Sequence, residues 1–177
     1  MARIEAVGGA LVVADAGPLI HLDELCALDV LSDYAQVRVP DAVWREVERH
    51  RPQALREASV RWVRLSVPAT SPRVTAVGAL YTLHRGEQDA LTLCLADGID
   101  VLLTDDTAAR LAAKSLNITT HGTLGLLLRA GRMGARTPEE ILVLLSEIPR
   151  RSTLHVRPSL LADVIRQARE AWKLPAP

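Results

Sequence analysis

The feature that most constrains the fold is a series of short apolar segments, each closed by an acid or a Gly/Pro break, alternating with stretches of helical periodicity. Residues 10–14 (Ala-Leu-Val-Val-Ala) stop at Asp15 and the Gly17-Pro18 pair. The segment is too short for a helix and apolar throughout, so it reads as a strand buried on both faces. Leu19, Leu22, Leu25, Cys26 and Leu28 then recur at helical spacing, which predicts a helix over 19–31. A strand follows at 36–39, then a helix at 42–50 opened by Pro40-Asp41, then a strand or sheet edge at 60–67 between loop-like flanks at 51–52 and 68–72. A helix over 86–96 ends at Asp97-Gly98. Beyond it come a strand at 99–104, a helix at 107–116 and a short strand at 117–120. Helices at 124–130, 138–148 and 159–172 finish the pattern. Such alternation predicts an α/β fold, a short and mainly parallel central sheet covered by helices on both faces. Residues 1–132 are expected to form one domain, and 133–177 a helical extension packed on it.

A chain of 177 residues, 49% apolar, can bury a core without a metal or disulfide to hold it. Cys26 and Cys94 stand alone, far from zinc-ligand or Cys-x-x-Cys spacing, which suits a reducing cytosol. Equal numbers of basic and acidic side chains, 21 each, exclude a polycationic nucleic-acid coat protein. With no Phe, three Trp and two Tyr, the chain is poorly supplied for stacking bases on aromatic rings. Charge is uneven locally: residues 1–50 hold four basic and nine acidic groups, and 126–157 hold six Arg and three Glu. That pattern serves a metal site with a phosphate-attracting rim, and equally an ordinary solvated surface. No apolar run reaches the length of a membrane span. Arg3, the apolar run 7–14 and Ala14-Asp15-Ala16 resemble a secretory leader, but Glu5 and the short run oppose it. A cytoplasmic protein is expected.

The acids fall in a regular way. Asp15 ends the first strand, and Asp105 and Asp106 end a later one. Glu46 lies in the helix after the second strand, and Glu87 and Asp89 lie in the opening turns of another helix. In a parallel sheet the carboxyl ends of the strands open onto one edge, where ligands bind, so these acids are expected to converge. Each has an ordinary explanation. Asp15 could begin a turn or cap a helix, one of Asp105 and Asp106 could be an N-cap, and Glu87 and Asp89 suit the positive end of a helix dipole. Glu46 shares the face of Val43 and Val47, and Glu87 that of Ala90, Leu91 and Cys94, which puts both at or near a buried stripe. A carboxylate there is costly unless paired or bound to a cation. Clustered carboxylates with no Cys/His set suit a hard cation, Mg²⁺ or Mn²⁺, of the kind that assists phosphodiester cleavage.

Several segments together carry a resemblance. Val12-Val13-Ala14-Asp15-Ala16-Gly17-Pro18-Leu19-Ile20, Val39-Pro40-Asp41-Ala42-Val43-Trp44-Arg45-Glu46-Val47 and Gly86-Glu87-Gln88-Asp89-Ala90-Leu91 come in order. Leu103-Thr104-Asp105-Asp106 with Ala109-Arg110-Leu111-Ala112, and Gly122-Thr123-Leu124-Gly125-Leu126-Leu127, follow. Over about residues 10–130 the chain resembles the PIN-domain proteins, which include the VapC-type toxins, and within them a prokaryotic PIN-like subgroup. The resemblance implies a three-layer α/β/α fold and a Mg²⁺- or Mn²⁺-dependent endoribonuclease acting on RNA. It also implies a homodimer and the toxin of a type II toxin–antitoxin pair, inhibited by a small antitoxin protein. The catalytic candidates it implies are Asp15, Glu46, Glu87, Asp89, Asp105 and Asp106, with Asp15, Glu46, Asp89 and Asp106 as metal ligands. Gly17 departs from the pattern, standing where the family usually has a Ser or Thr. The third motif offers both Glu87 and Asp89, and the fourth both Asp105 and Asp106.

Other residues have competing roles. His84 and His121 lie near the third and fourth motifs without zinc spacing and read as loop or surface groups. Arg110, one turn after Asp106, is expected to pair with it. Arg129, Arg132 and Arg136 suit either an RNA backbone or a solvated face. A non-catalytic RNA- or protein-binding module on the same fold is the main alternative, motivated by Gly17. A haloacid dehalogenase-type phosphatase would want an Asp where Gly17 stands. A receiver domain would want a Lys at a strand end, and the only lysines are Lys114 and Lys173.

Overall fold

The computed structural model describes residues 9–174. Arg3 and Glu5, on which the leader reading turns, lie outside the described residues. Five strands, β1 (Leu11–Ala14), β2 (Gln36–Pro40), β3 (Trp62–Leu65), β4 (Val101–Leu103) and β5 (Thr119–His121), form one sheet in the order β3-β2-β1-β4-β5. Every pairing is parallel, with Val12 beside Val37 and Val13 beside Leu102. The helices are α1 (Ala16–Glu24), α2 (Asp41–His50), α3 (Pro72–Tyr81), α4 (Arg85–Asp97), α5 (Thr107–Ser115), α6 (Thr123–Met133), α7 (Pro138–Arg151) and α8 (Pro158–Ala171).

Alternation along the strands divides the core in two, because successive side chains point to opposite faces of a sheet. Val12, Ala14, Val37, Val39 and Leu103 enter one core with side chains of α1, α2, α6 and α7. Val13 and Leu102 enter the other with α4 and α5. All seven of these strand residues are fully buried, which is why β1 is apolar at consecutive positions. The result is the expected three-layer α/β/α arrangement. From beyond residue 133, Ile141, Leu145 and Ile148 of α7 and Leu161 and Ala168 of α8 join the core that contains Val12. Among the described residues no helix is long and apolar enough to cross a membrane.

Two segments differ from expectation. The helix expected over 19–31 stops at Glu24, and a single 3-10 turn occupies Leu28–Leu31. Cys26 adopts φ 53, the Cys26 N–H donates to the Asp23 carbonyl, and the Ala27 N–H donates to the Leu22 carbonyl. This is a Schellman stop with Cys in the left-handed position usually held by Gly, so the sequence carries no glycine signal there. The helix α3 was not predicted. It has a start signal in Ser71-Pro72, where the Ser71 hydroxyl accepts from the Val74 N–H at 3.3 Å and Pro72 occupies the first turn. Only Val74 and Gly78 of α3 are buried, too few to give a periodic apolar stripe. The segment expected as a strand or edge at 60–67 is the edge strand β3, paired to β2 alone.

Because α7 packs into the same core as the sheet, Leu145→Ala should lower the stability of the whole chain by about 2–5 kcal/mol. Urea unfolding followed by circular dichroism should give one cooperative transition at a lower midpoint. A separate early transition with the main one unmoved would contradict this packing.

Candidate active site

The acids meet because β1 is the middle strand. Its neighbours are β2, which leads into α2 and Glu46, and β4, which leads into Thr104, Asp105 and Asp106. The Asp15 N–H donates to the Leu103 carbonyl at 2.9 Å, extending the β1–β4 ladder to the point where both strands end. Asp15 is 9% exposed, and its Oδ2 accepts from the Thr104 hydroxyl at 3.2 Å. It occupies the N-cap position of α1, yet its carboxylate makes no side-chain capping bond there and has only the adjacent Ala16 amide beside it.

The start of α4 closes the other side. A Cβ at Gly86 would lie 3.4 Å from Val43 Cγ2, 3.7 Å from Glu46 Oε2 and 3.9 Å from Asp15 Oδ1. Gly86 therefore leaves a gap bordered by two carboxylate oxygens from separate elements. Glu46 lies near the buried stripe and not within it: Val43 and Val47 are buried, and Glu46 itself is exposed. Glu87 is half-buried, as is Asp89. Gly86 and Asp89 are three apart and share a helix face.

The electrostatics single out Asp15. Burial drives its pKa up to about 7, with Glu87 and Glu46 adding to the rise and the Ala16 amide and Thr104 hydroxyl opposing it. Glu87 is also raised, first by burial, then by Asp106 and Glu46, against a hydrogen bond from the His84 amide. Asp105 goes the other way. Burial works against its charge, but hydrogen bonds from His21 and Thr123 outweigh it and hold the carboxyl below its usual value. His21 Nδ1 lies 2.8 Å from Asp105 Oδ2, the Thr123 hydroxyl donates to Oδ2 at 2.6 Å, and the Thr123 N–H donates to Oδ1 at 2.7 Å.

The remaining acids have structural partners. Asp106 is the N-cap of α5, its Oδ1 accepting from the Ala109 N–H at 2.7 Å. Glu87 Oε2 accepts from the His84 N–H at 2.7 Å at the start of α4. Asp89 lies 3.7 Å from the exposed Arg85. Each capping bond engages one oxygen of its carboxylate and fixes the direction of the other. Asp15, Glu46, Glu87 and Asp106 are brought into electrostatic contact. Asp105 faces His21 and Thr123, and Asp89 faces Arg85.

Three contributors were not singled out from the sequence. Thr104 and Thr123 lay inside quoted motifs, with nothing to mark their hydroxyls. His21 sits one turn beyond Gly17, where a Cβ at Gly17 would lie 3.7 Å from both His21 Cε1 and Asp105 Cβ. His84 is exposed at the start of α4, and His121 is half-buried at the end of β5. Arg110 corrects another expectation. Among the described residues it forms no ion pair with Asp106, and its Nη1 stands 3.0 Å from the point where a Gly122 Cβ would be. Arg129 and Arg136 are also held within the fold. Arg129 pairs with Asp33 at 2.5 Å and lies over the Tyr34 ring, and Arg136 pairs with Asp29 and donates to the Cys26 carbonyl. Arg132 is exposed.

Among the described residues, no three His, Cys, Asp or Glu side chains form a ready-made metal cage. The donors that line the gap are carboxylate oxygens, with Asp15 raised by burial and acid neighbours. That set fits Mg²⁺ or Mn²⁺, since such ions keep several waters and need only one or two carboxylates. The three atoms nearest the gap include no imidazole nitrogen or thiolate, the donors that zinc favours.

Between about pH 4 and 7 the folded chain retains a proton on Asp15 that the unfolded chain has lost. Stability therefore falls as pH rises through that window, by up to about 1.4 kcal/mol per pH unit from this group. Asp15→Asn should make urea stability less dependent on pH and exceed wild type at pH 7. Equal pH dependence in both proteins would contradict the burial argument.

Comparison with known proteins agrees with this architecture. A family model described as PIN domain matches residues 11–170, which includes every acid of the candidate site. No curated protein matches the chain. With five parallel strands between helical layers and the match running almost end to end, the chain belongs to the PIN-domain family, a nuclease-type fold.

Proposed function

We propose that this protein is a Mg²⁺- or Mn²⁺-dependent endoribonuclease that hydrolyses RNA phosphodiester bonds. The observation that carries the reading is Asp15: a buried carboxylate, unspent on helix capping, facing the Gly86 gap with Glu46 opposite. When bound, such an ion supplies charge to stabilise the anionic transition state and acidity to activate a water.

The chain's own residues would divide the remaining work. Thr104 holds Asp15 Oδ2, leaving Oδ1 toward the gap. Glu46 contributes an oxygen from α2. Glu87 and Asp106 each have one oxygen tied to a helix-start amide, which orients the second. Glu87, its pKa raised by burial and by acid neighbours, is a candidate proton acceptor. Asp89 stays in the ligand set through the helix face it shares with Gly86, with the contact to exposed Arg85 easily given up. Asp105 remains ionised and orients through His21 and Thr123. The resemblance of the ordered motifs supports the further proposals: RNA as substrate, a toxin role in the cytoplasm, a small antitoxin protein as partner, and a homodimer.

A second reading, a non-catalytic binding module, is favoured by Gly17 and by the capping roles of Glu87 and Asp106. It predicts little metal affinity, so calorimetric titration with Mn²⁺ separates the two.

The nuclease reading predicts cleavage of RNA that a chelator stops and that Asp15→Asn lowers at least about a hundredfold with the fold intact. Protein inert on a broad RNA panel with both Mg²⁺ and Mn²⁺ would overturn it.

A further inference from the structure

On the β5 side of the acid cluster lies a cavity of opposite chemistry. It has a volume of about 510 Å³ and takes Asp105 as one wall, but its other polar side chains are the guanidinium groups of Arg110 and Arg157, the imidazoles of His121 and His155, and hydroxyls such as Thr107. Leu154, Val156 and Leu160 form an apolar side. Leu160 is 45% exposed, a large apolar side chain left in water beside two arginines.

These two arginines differ from those that this chain pairs within its fold. Its charges balance, and elsewhere Arg38, Arg51, Arg64, Arg129 and Arg136 are each taken up by an Asp. Among the described residues, neither Arg110 nor Arg157 forms an ion pair. Gly122 makes room for the first of them: a Cβ there would lie 2.6 Å from Asp105 Oδ1 and 3.0 Å from Arg110 Nη1. The positive field extends to His121, whose pKa is lowered by burial and then by Arg129, Arg110 and Arg132. The starts of α5, α6 and α8 lie at the rim, with Thr107, Leu124 and Arg157 among the lining, and helix starts add positive potential. A space of this size suits a small ligand, and unpaired guanidinium groups beside an apolar wall suit a phosphate joined to a flat base.

We infer that this cavity receives one nucleotide unit of the RNA strand adjacent to the unit being cut, its phosphate on Arg110 and Arg157 and its base against Leu154, Val156 and Leu160. That the strand is a substrate rests on the nuclease reading. The anion-binding chemistry rests on the cavity alone.

The test uses the full chain and a dye-labelled, ten-nucleotide single-stranded RNA, with divalent metal withheld so that binding is read apart from cutting. Arg157→Ala should weaken binding about tenfold and reduce the slope of affinity against salt by about one. Arg61→Ala, just before β3 at the opposite edge of the sheet, should leave both as in wild type. With Mn²⁺ added, Arg157→Ala should raise KM more than it lowers kcat. Wild-type affinity and salt slope in Arg157→Ala would overturn the inference even if the protein cuts RNA. Arg157-dependent binding with no cutting under any divalent metal would leave the nucleotide-binding role of the cavity standing and overturn the nuclease reading.

Discussion

A carboxylate at the end of a strand buried on both faces has little water in which to disperse its charge. Asp15 is in that position. It follows β1, the middle strand, and faces acids carried by α2 and α4. Burial alone would keep such a group protonated near neutrality, and the neighbouring acids push it the same way. The arrangement is unfavourable to the bare protein and favourable to a protein that binds a hard dication. The rest of the site follows from that tension. Thr104 fixes one oxygen of Asp15, and Gly86 keeps side-chain atoms out of the space beyond the other.

The sheet provides the rigidity that this needs. Each strand of the pair β1 and β4 sends one residue into one core and the next into the other, so neither can slip without exposing apolar side chains. Asp105 illustrates how the same strand end can make two different environments. Its carboxylate is held ionised by His21 and Thr123, whereas Asp106, one residue later, caps α5. Acidic and cationic surfaces then lie back to back across Asp105, with Arg110 over Gly122 on the far side. On the proposed reading, a site that would repel phosphate until a dication arrives is thereby joined to one that would attract it.

Much of this was legible in the sequence. Apolar run length, helical periodicity and Gly/Pro breaks identified all five strands and seven of the eight helices: the inner strands leave a plain apolar signature, and the edge strands β3 and β5 are short segments set off by their flanks. The helix α3 escaped because its few buried residues make no periodic stripe, although Ser71-Pro72 marks its start. The break at Cys26 escaped because a cysteine occupies a conformation that sequence readers assign to glycine. At the site, the acids were visible as strand-end residues, but their roles were not. Whether a carboxylate caps a helix, as Glu87 and Asp106 do, or faces a gap, as Asp15 does, depends on backbone directions set by tertiary packing. The partners of Asp105 were hidden for the same reason, being separated from it by 84 and 18 positions.

The most direct measurement is the titration of the Asp15 carboxyl carbon by NMR, in the presence and absence of Mg²⁺. Without the ion the carboxyl should titrate near 7. With saturating Mg²⁺ its midpoint should fall by at least about two pH units, because an adjacent cation favours the charged form. A midpoint that stays where it was when Mg²⁺ is added, or one already in the ordinary carboxylate range without it, would contradict the account.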